Sequence, residues 1–245
     1  MCSRDADQRL AHEFKTGEKE MKTSIAMFAV CVASGVALAD TVHATYTGIE
    51  GGSSAMQLRV EGGTYYAGHM SHTITSGDRA GEQFNTFCID FSENAYSGRN
   101  LSYEIVDIAE APKPGTPYGQ TIAGQINAVV ANAVELGWIG EDLQADENQA
   151  DYLGKMGAIQ AAIWEAFGSN IEVGSHRTSN SLEHYYSILM DDNTFDSSLR
   201  LNGLKAMVSE GQQDMLYVVP LPPAALAGLG MLGGIAGVRT IRRRK

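Results

Sequence analysis

The apolar pattern of this chain changes its period once, across Pro112, Pro114 and Pro117, and that change restricts the available folds more than any other feature. Upstream, residues 41–110 have strand character. Residues 55–60 alternate in the strand manner, and Gly62 and Gly63 can turn the chain just after them. Residues 65–66 and 71–75 continue the β-type composition, and 101–108 follow a turn at Ser97 and Gly98. Residues 84–91 form the best strand, with Phe84, Thr86, Cys88 and Asp90 facing one way and Phe87, Ile89 and Phe91 the other. Downstream the period is helical. Ile122, Ile126, Val129, Val130 and Ala133 stripe a helix over 120–136 that stops at Gly137. After an acidic loop, a second helix over 148–167 carries Leu153, Met156, Gln160, Ile163, Trp164 and Phe167, and Gly168 ends it. Shorter helical segments over 181–190 and 198–208 precede a closing strand at 215–219. This order predicts an α+β domain over 40–217: a small antiparallel β-sandwich or barrel with a helical insertion packed against it.

Both ends of the chain have a different character. Residues 224–238 carry no charge, and Pro223 suits the first turn of a helix. From Pro223 to Ile241 the length is about 28 Å, close to the ~30 Å hydrocarbon core of a bilayer. Arg239 can snorkel, and Arg242, Arg243, Arg244 and Lys245 would hold the tip on the cytoplasmic side. The alternative is a buried hairpin helix with a basic tail. At the front, Lys22, the apolar stretch 25–36 and the small residues Ala37 and Ala39 read as a secretory signal over 21–39, cleaved before Asp40. The polar residues 1–20 fit an over-long start or a short cytoplasmic leader. The tail, Val219-Pro220-Leu221-Pro222, then alanines, a Gly/Leu/Ala-rich run and an arginine cluster, resembles the PEP-CTERM protein-sorting signals, in their VPLPA variant. Pro223 stands before the first alanine, and Leu221 where the commonest form carries glutamate. The resemblance covers residues 218–245. It implies recognition by an exosortase-type membrane enzyme, transient anchoring in the inner membrane by a single helix, and delivery to the cell surface or extracellular matrix.

Charge excludes some partners. Five bases and five acids precede residue 23, and five bases follow residue 238. Residues 40–238 therefore keep eight bases against 24 acids, a net of −16. Such a body does not suit nucleic acid or an anionic membrane surface, and it favours cations or basic partners. Of three cysteines, only Cys88 survives removal of the leader and signal. An internal disulfide is then impossible. A lone thiol in an oxidising compartment implies an intermolecular bridge, a reactive thiol, or a sulfur already consumed in another bond.

Gln160 is the second unusual residue, because it lies in the middle of an apolar helix stripe. A buried carboxamide needs partners. A main-chain hydrogen bond at the helix–sheet seam would supply them. Alternatively the amide faces Cys88. A thiolate can attack a glutamine carbonyl and expel ammonia, leaving an internal thioester that an external amine or hydroxyl later opens. Phe87-Cys88-Ile89-Asp90 and Ile159-Gln160-Ala161-Ala162-Ile163-Trp164 resemble the paired motifs of the thioester domains of bacterial surface adhesins, with Ile159 where that family carries threonine. The resemblance spans roughly 84–168. It implies that Cys88 donates sulfur, Gln160 donates the acyl group, and Trp164 packs one turn further on. The chemistry would be single-use attachment to an amine- or hydroxyl-bearing partner, not enzymatic turnover. The alternative is a non-covalent structural or adhesive matrix protein.

Other chemistries lack residues. His43, His69, His72, His176 and His184 show no metal-ligand spacing, and His69 and His72 would face opposite sides of a strand. Residues 191–196 lack the glycine and closing glutamate of an EF-hand and read as a solvated turn. No Ser/His/Asp order or phosphate loop supports a secreted hydrolase. No cofactor is expected.

Overall fold

The computed structural model describes residues 41–91 and 93–219. The expected leader and signal segment with its cleavage site, and the expected sorting segment from Pro220 onward with the membrane helix and basic tip read from its sequence, lie outside the described residues. Among the described residues no helix is long and apolar enough to cross a membrane.

The fold is α+β. Strands β1 (Thr41–Ile49), β4 (Met70–Ile74), β5 (Gln83–Thr86), β6 (Asn100–Val106), β7 (Leu204–Ser209) and β8 (Gln212–Val218) form one antiparallel sheet in the order β5-β4-β1-β6-β7-β8. Strands β2 (Met56–Val60) and β3 (Gly63–Ala67) form a separate hairpin. Its turn residues Glu61 and Gly62 both have positive φ, 49° and 79°, the backbone twist that a two-residue hairpin needs. Helices α1 (Gly119–Glu135), α2 (Tyr152–Ala166) and α3 (Asn180–Leu189) follow the proline segment.

The two edges of the sheet meet. Beyond β5 the chain crosses to β8, where the Leu216 N–H donates to the Phe87 carbonyl at 2.8 Å and the Ile89 N–H to the Asp214 carbonyl at 3.0 Å. The Thr86 hydroxyl also donates to the Leu216 carbonyl, and Cys88 sits opposite Met215. Two cores result. One lies between sheet and helices, where Phe87, Ile89, Ala206 and Leu216 meet Ile126 and Ile163. The other fills the opposite side of the sheet and reaches the hairpin, with Tyr46, Phe84, Cys88, Tyr103 and Met215 packed toward Leu58 and Trp164.

Three sequence expectations change here. Residues 198–208 are not helical: 204–209 form β7, with Ala206 in the helix-side core and Met207 in the other. A short apolar run such as this satisfies either period, and pairing with β6 and β8 decides it. The strand expected over 84–91 ends at Thr86, because the chain then leaves β4 for β8. Phe87 and Ile89 do face away from Phe84 and Cys88, but Phe91 turns to the Cys88 side, edge-on to Trp164 with ring centroids 5.0 Å apart. The second helix begins at Tyr152 rather than 148, and it is no one-sided stripe. It is buried on nearly every face, from Tyr152 to Trp164. Small residues allow this. A methyl on Gly157 would stand 2.8 Å from Met56 Cβ and 3.0 Å from Leu182 Cδ1, so α2 touches both β2 and α3 at bare backbone.

Candidate functional site

Cys88 arrives on the crossing segment after β5, and Gln160 in the third turn of α2. They are 72 residues apart in sequence and paired in space. The Cys88 N–H donates to Gln160 Oε1 at 2.9 Å, and Gln160 Nε2 donates to the Cys88 carbonyl at 2.8 Å. Each residue is 1% exposed. The carboxamide therefore caps both main-chain polar groups of Cys88 and lies against the residue that carries the sulfur. A donor on Oε1 also polarises the amide carbon, as the donors of an oxyanion hole do.

The thiol itself donates to the Asp90 carbonyl at 2.9 Å, so attack on the amide carbon requires rotation of the side chain. Burial pushes the Cys88 thiol up to about 12. The Trp164 indole N–H and the main chain at Asp90 oppose this, and the Asp90 and Asp214 carboxylates add to it. Trp164 Nε1–H lies near enough to the sulfur to favour a thiolate but outside hydrogen-bond geometry, and among the described residues no other group partners it. Asp214 is itself raised to about 7, by burial first, against the N–H donors of Lys113 and Ser209.

A pocket of about 190 Å³ opens onto the pair. Cys88, Gln160 and Trp164 line its deep end, and Tyr65, Phe91 and Glu93 line it nearer the surface. Tyr65 and Phe91 meet edge to face at 4.6 Å. Glu93 Oε1 accepts the Gly211 N–H at 3.0 Å, while Oε2 is shielded from solvent and has no hydrogen-bond partner among the described residues. A larger hollow of about 570 Å³, lined by Gln125, Glu165, Phe195 and Arg200, contains neither Cys88 nor Gln160.

Of the other residues singled out in the sequence, Phe87 packs in the helix-side core against His69, and Asp90 is buried beside the thiol with its carbonyl also accepting from Gln213. Val219 lies past the end of β8, its N–H bonded to Gly203. His69 and His72 face opposite sides, His69 toward Phe87 and Tyr152, His72 toward Tyr46, Phe84 and Tyr103. His43, His176 and His184 are exposed. Among the described residues no cluster of three or more His, Cys, Asp or Glu could hold a metal. Residues 191–196 form an exposed turn with the Asp191 carboxylate accepting the Asn193 N–H. Glu93, Tyr65 and Asp214 were not legible as site residues, because only the crossing segment and the hairpin bring them near Cys88. No protein-family model, curated protein or solved structure matches the chain.

Proposed function

We propose that the chain is an exported protein of the cell surface or extracellular matrix, whose domain over 40–217 attaches covalently to a partner through a thioester between Cys88 and Gln160. The observation that carries this reading is the reciprocal pair of hydrogen bonds between the Gln160 carboxamide and the Cys88 main chain. We read the curled sheet as a small closed barrel, on the bonds that join its edges.

The chemistry balances without a co-reactant. The Cys88 sulfur adds to the Gln160 amide carbon and the C–N bond breaks. The thiol proton leaves with the nitrogen as ammonia, and a thioester joins the side chains. An amine entering the pocket then adds to the same carbon. The C–S bond breaks, a proton passes to sulfur, and the partner is left in an amide bond to residue 160. Trp164 N–H favours the departing thiolate, and Glu93 is positioned in the pocket to take the proton of an incoming ammonium. Burial of the pair keeps water from the bond until a nucleophile arrives. The net charge of −16 over 40–238 favours a basic partner. Export and surface delivery rest on the signal segment 21–39 and the sorting segment 218–245, with an exosortase-type enzyme acting on Val219, Pro220, Leu221, Pro222 and Pro223.

The intact mass of the purified protein tests the chemistry. It should be lower than the sequence mass by one ammonia, and methylamine should add to the wild type and not to Cys88→Ala. An unchanged mass with a titratable Cys88 thiol would return the domain to a non-covalent matrix component. One observation favours that second reading: the carboxamide and the thiol are both already hydrogen-bonded to main chain, which suffices as a structural staple.

A further inference from the structure

Strand β3 is an open edge beside the pocket. In the hairpin, Val60 pairs with Gly63, Leu58 with Tyr65 and Met56 with Ala67. A two-residue turn makes these the hydrogen-bonded pairs, so the main-chain groups of Gln57, Arg59, Thr64 and Tyr66 point outward. On the β2 side they are satisfied: the Ser179 and Glu172 N–H groups donate to the Gln57 and Arg59 carbonyls, and the Gln57 and Arg59 N–H groups donate to the Ser179 and Thr178 hydroxyls. On the β3 side, among the described residues, nothing meets Thr64 or Tyr66. Exposed edges are ordinarily blunted by charge, proline or cover. Gly63-Thr-Tyr-Tyr-Ala67 has no charge and no proline, and Tyr65 and Tyr66 are 43% and 48% exposed.

We propose that β3 is the docking edge for an extended, lysine-bearing segment of a protein partner, added as a further strand that delivers its amine to the pocket. Bonds to Thr64 and Tyr66 would hold the segment. By alternation, the incoming residue opposite Tyr65 shares the sheet face of Tyr65, and Tyr65 lies against Phe91 in the pocket wall. Glu93 then meets the ammonium. A second copy of this chain fits poorly, since both copies carry the same strong negative charge. The delivery step rests on the thioester reading; the docking step does not.

The test separates the two. Full-chain Cys88→Ala is mixed with the peptide Thr-Val-Thr-Lys-Thr-Val-Thr, and amide hydrogen exchange is followed. Exchange at Thr64 and Tyr66 should slow about fivefold, as expected for about one kcal/mol per new bond, with Gln57 and Arg59 unchanged. A peptide N-methylated at alternate residues should give no slowing. Unslowed exchange at saturating peptide overturns the proposal, as does slowing that depends on protein concentration and not on peptide, which would mean self-pairing. In the wild type, Thr64→Pro, which removes an outward N–H at a residue that does not line the pocket, should cut the rate of the peptide's covalent addition about fivefold and leave methylamine addition unchanged. Equal effects on both overturn edge delivery. If methylamine does not add at all, the thioester reading falls and the exchange result still decides the docking.

Discussion

Gln160 occupies a position where an apolar residue would leave two buried groups of Cys88 without partners. Gln160→Leu keeps roughly the volume and removes both bonds, to the Cys88 N–H and carbonyl. At ~1–3 kcal/mol for each orphaned group, the variant should lose about 3 kcal/mol of stability in urea denaturation, and an unchanged midpoint would mean that the pair contributes nothing. The thiol has its own signature. With its pKa pushed up to about 12 by burial, Cys88 in the free-thiol state is protonated and shielded at pH 8. Iodoacetamide should label it after denaturation and not before. Since its folded pKa stands above the unfolded value of ~8.5, the protonated thiol contributes stability below that pH, and the contribution is lost as pH rises toward 12. If the thioester is present, iodoacetamide finds no thiol until methylamine or hydroxide has opened it.

Helix α2 is buried on nearly every face, and its small residues are the reason it can touch β2 and α3 at once. Gly157→Ala tests this. Met56 Cβ, 2.8 Å from the added methyl, is the root of its side chain and cannot move without moving β2. The overpacking should cost ~1–3 kcal/mol and lower Tm, although alanine ordinarily favours a helix over glycine. A rise in Tm would show that α2 can shift away from the hairpin. The crossing segment after β5 is held differently, by two main-chain bonds to β8 and the Thr86 hydroxyl. It fixes Cys88 relative to both the sheet and α2, so the same short stretch joins the sheet edges and presents the sulfur.

Acid sensitivity belongs to the molecule as a whole. Burial holds His69 down at about 3 and His72 at about 4, so both stay largely neutral in the folded state between pH 6 and 5, whereas unfolded imidazoles protonate there. Their folded pKa values are depressed, and the stability they contribute above the unfolded value is lost as pH falls. Asp214 has the opposite sign. Raised to about 7, it binds a proton in the folded state that the unfolded chain lacks until pH falls near 3.8, so its contribution grows on acidification. Around these groups, Tyr152 bonds His69, and Asp214 faces Lys113, Asp90 and Glu93. Two protons against one leaves a net uptake of one on unfolding. Stability should fall by about 1 kcal/mol per pH unit between pH 6 and 5, and His72→Phe, which keeps a ring stacked on Phe84, should flatten that slope. If the tail is processed as the sorting proposal has it, Pro222→Ala should leave the residues beyond 223 attached to the protein, read by peptide mass mapping. Continued removal of that tail would end the sorting proposal.

The order of strands, helices and closing strand was legible in the residues, because alternation and helical stripes are local consequences of how side chains leave the backbone. The same reasoning isolated Cys88 by elimination and Gln160 by its misfit on an apolar stripe. It failed at 198–208, where six residues satisfied two periods and the neighbouring strands chose between them. It failed also at Phe91, whose side depends on where the chain goes after leaving β4. No local pattern could bring Glu93 and Tyr65 to the mouth of a pocket, or leave the outer edge of β3 bare, since both depend on contacts between segments far apart along the chain. Local patterning named a sulfur and a carboxamide. Their two mutual hydrogen bonds, and the opening above them, come from long-range packing of the crossing segment against α2.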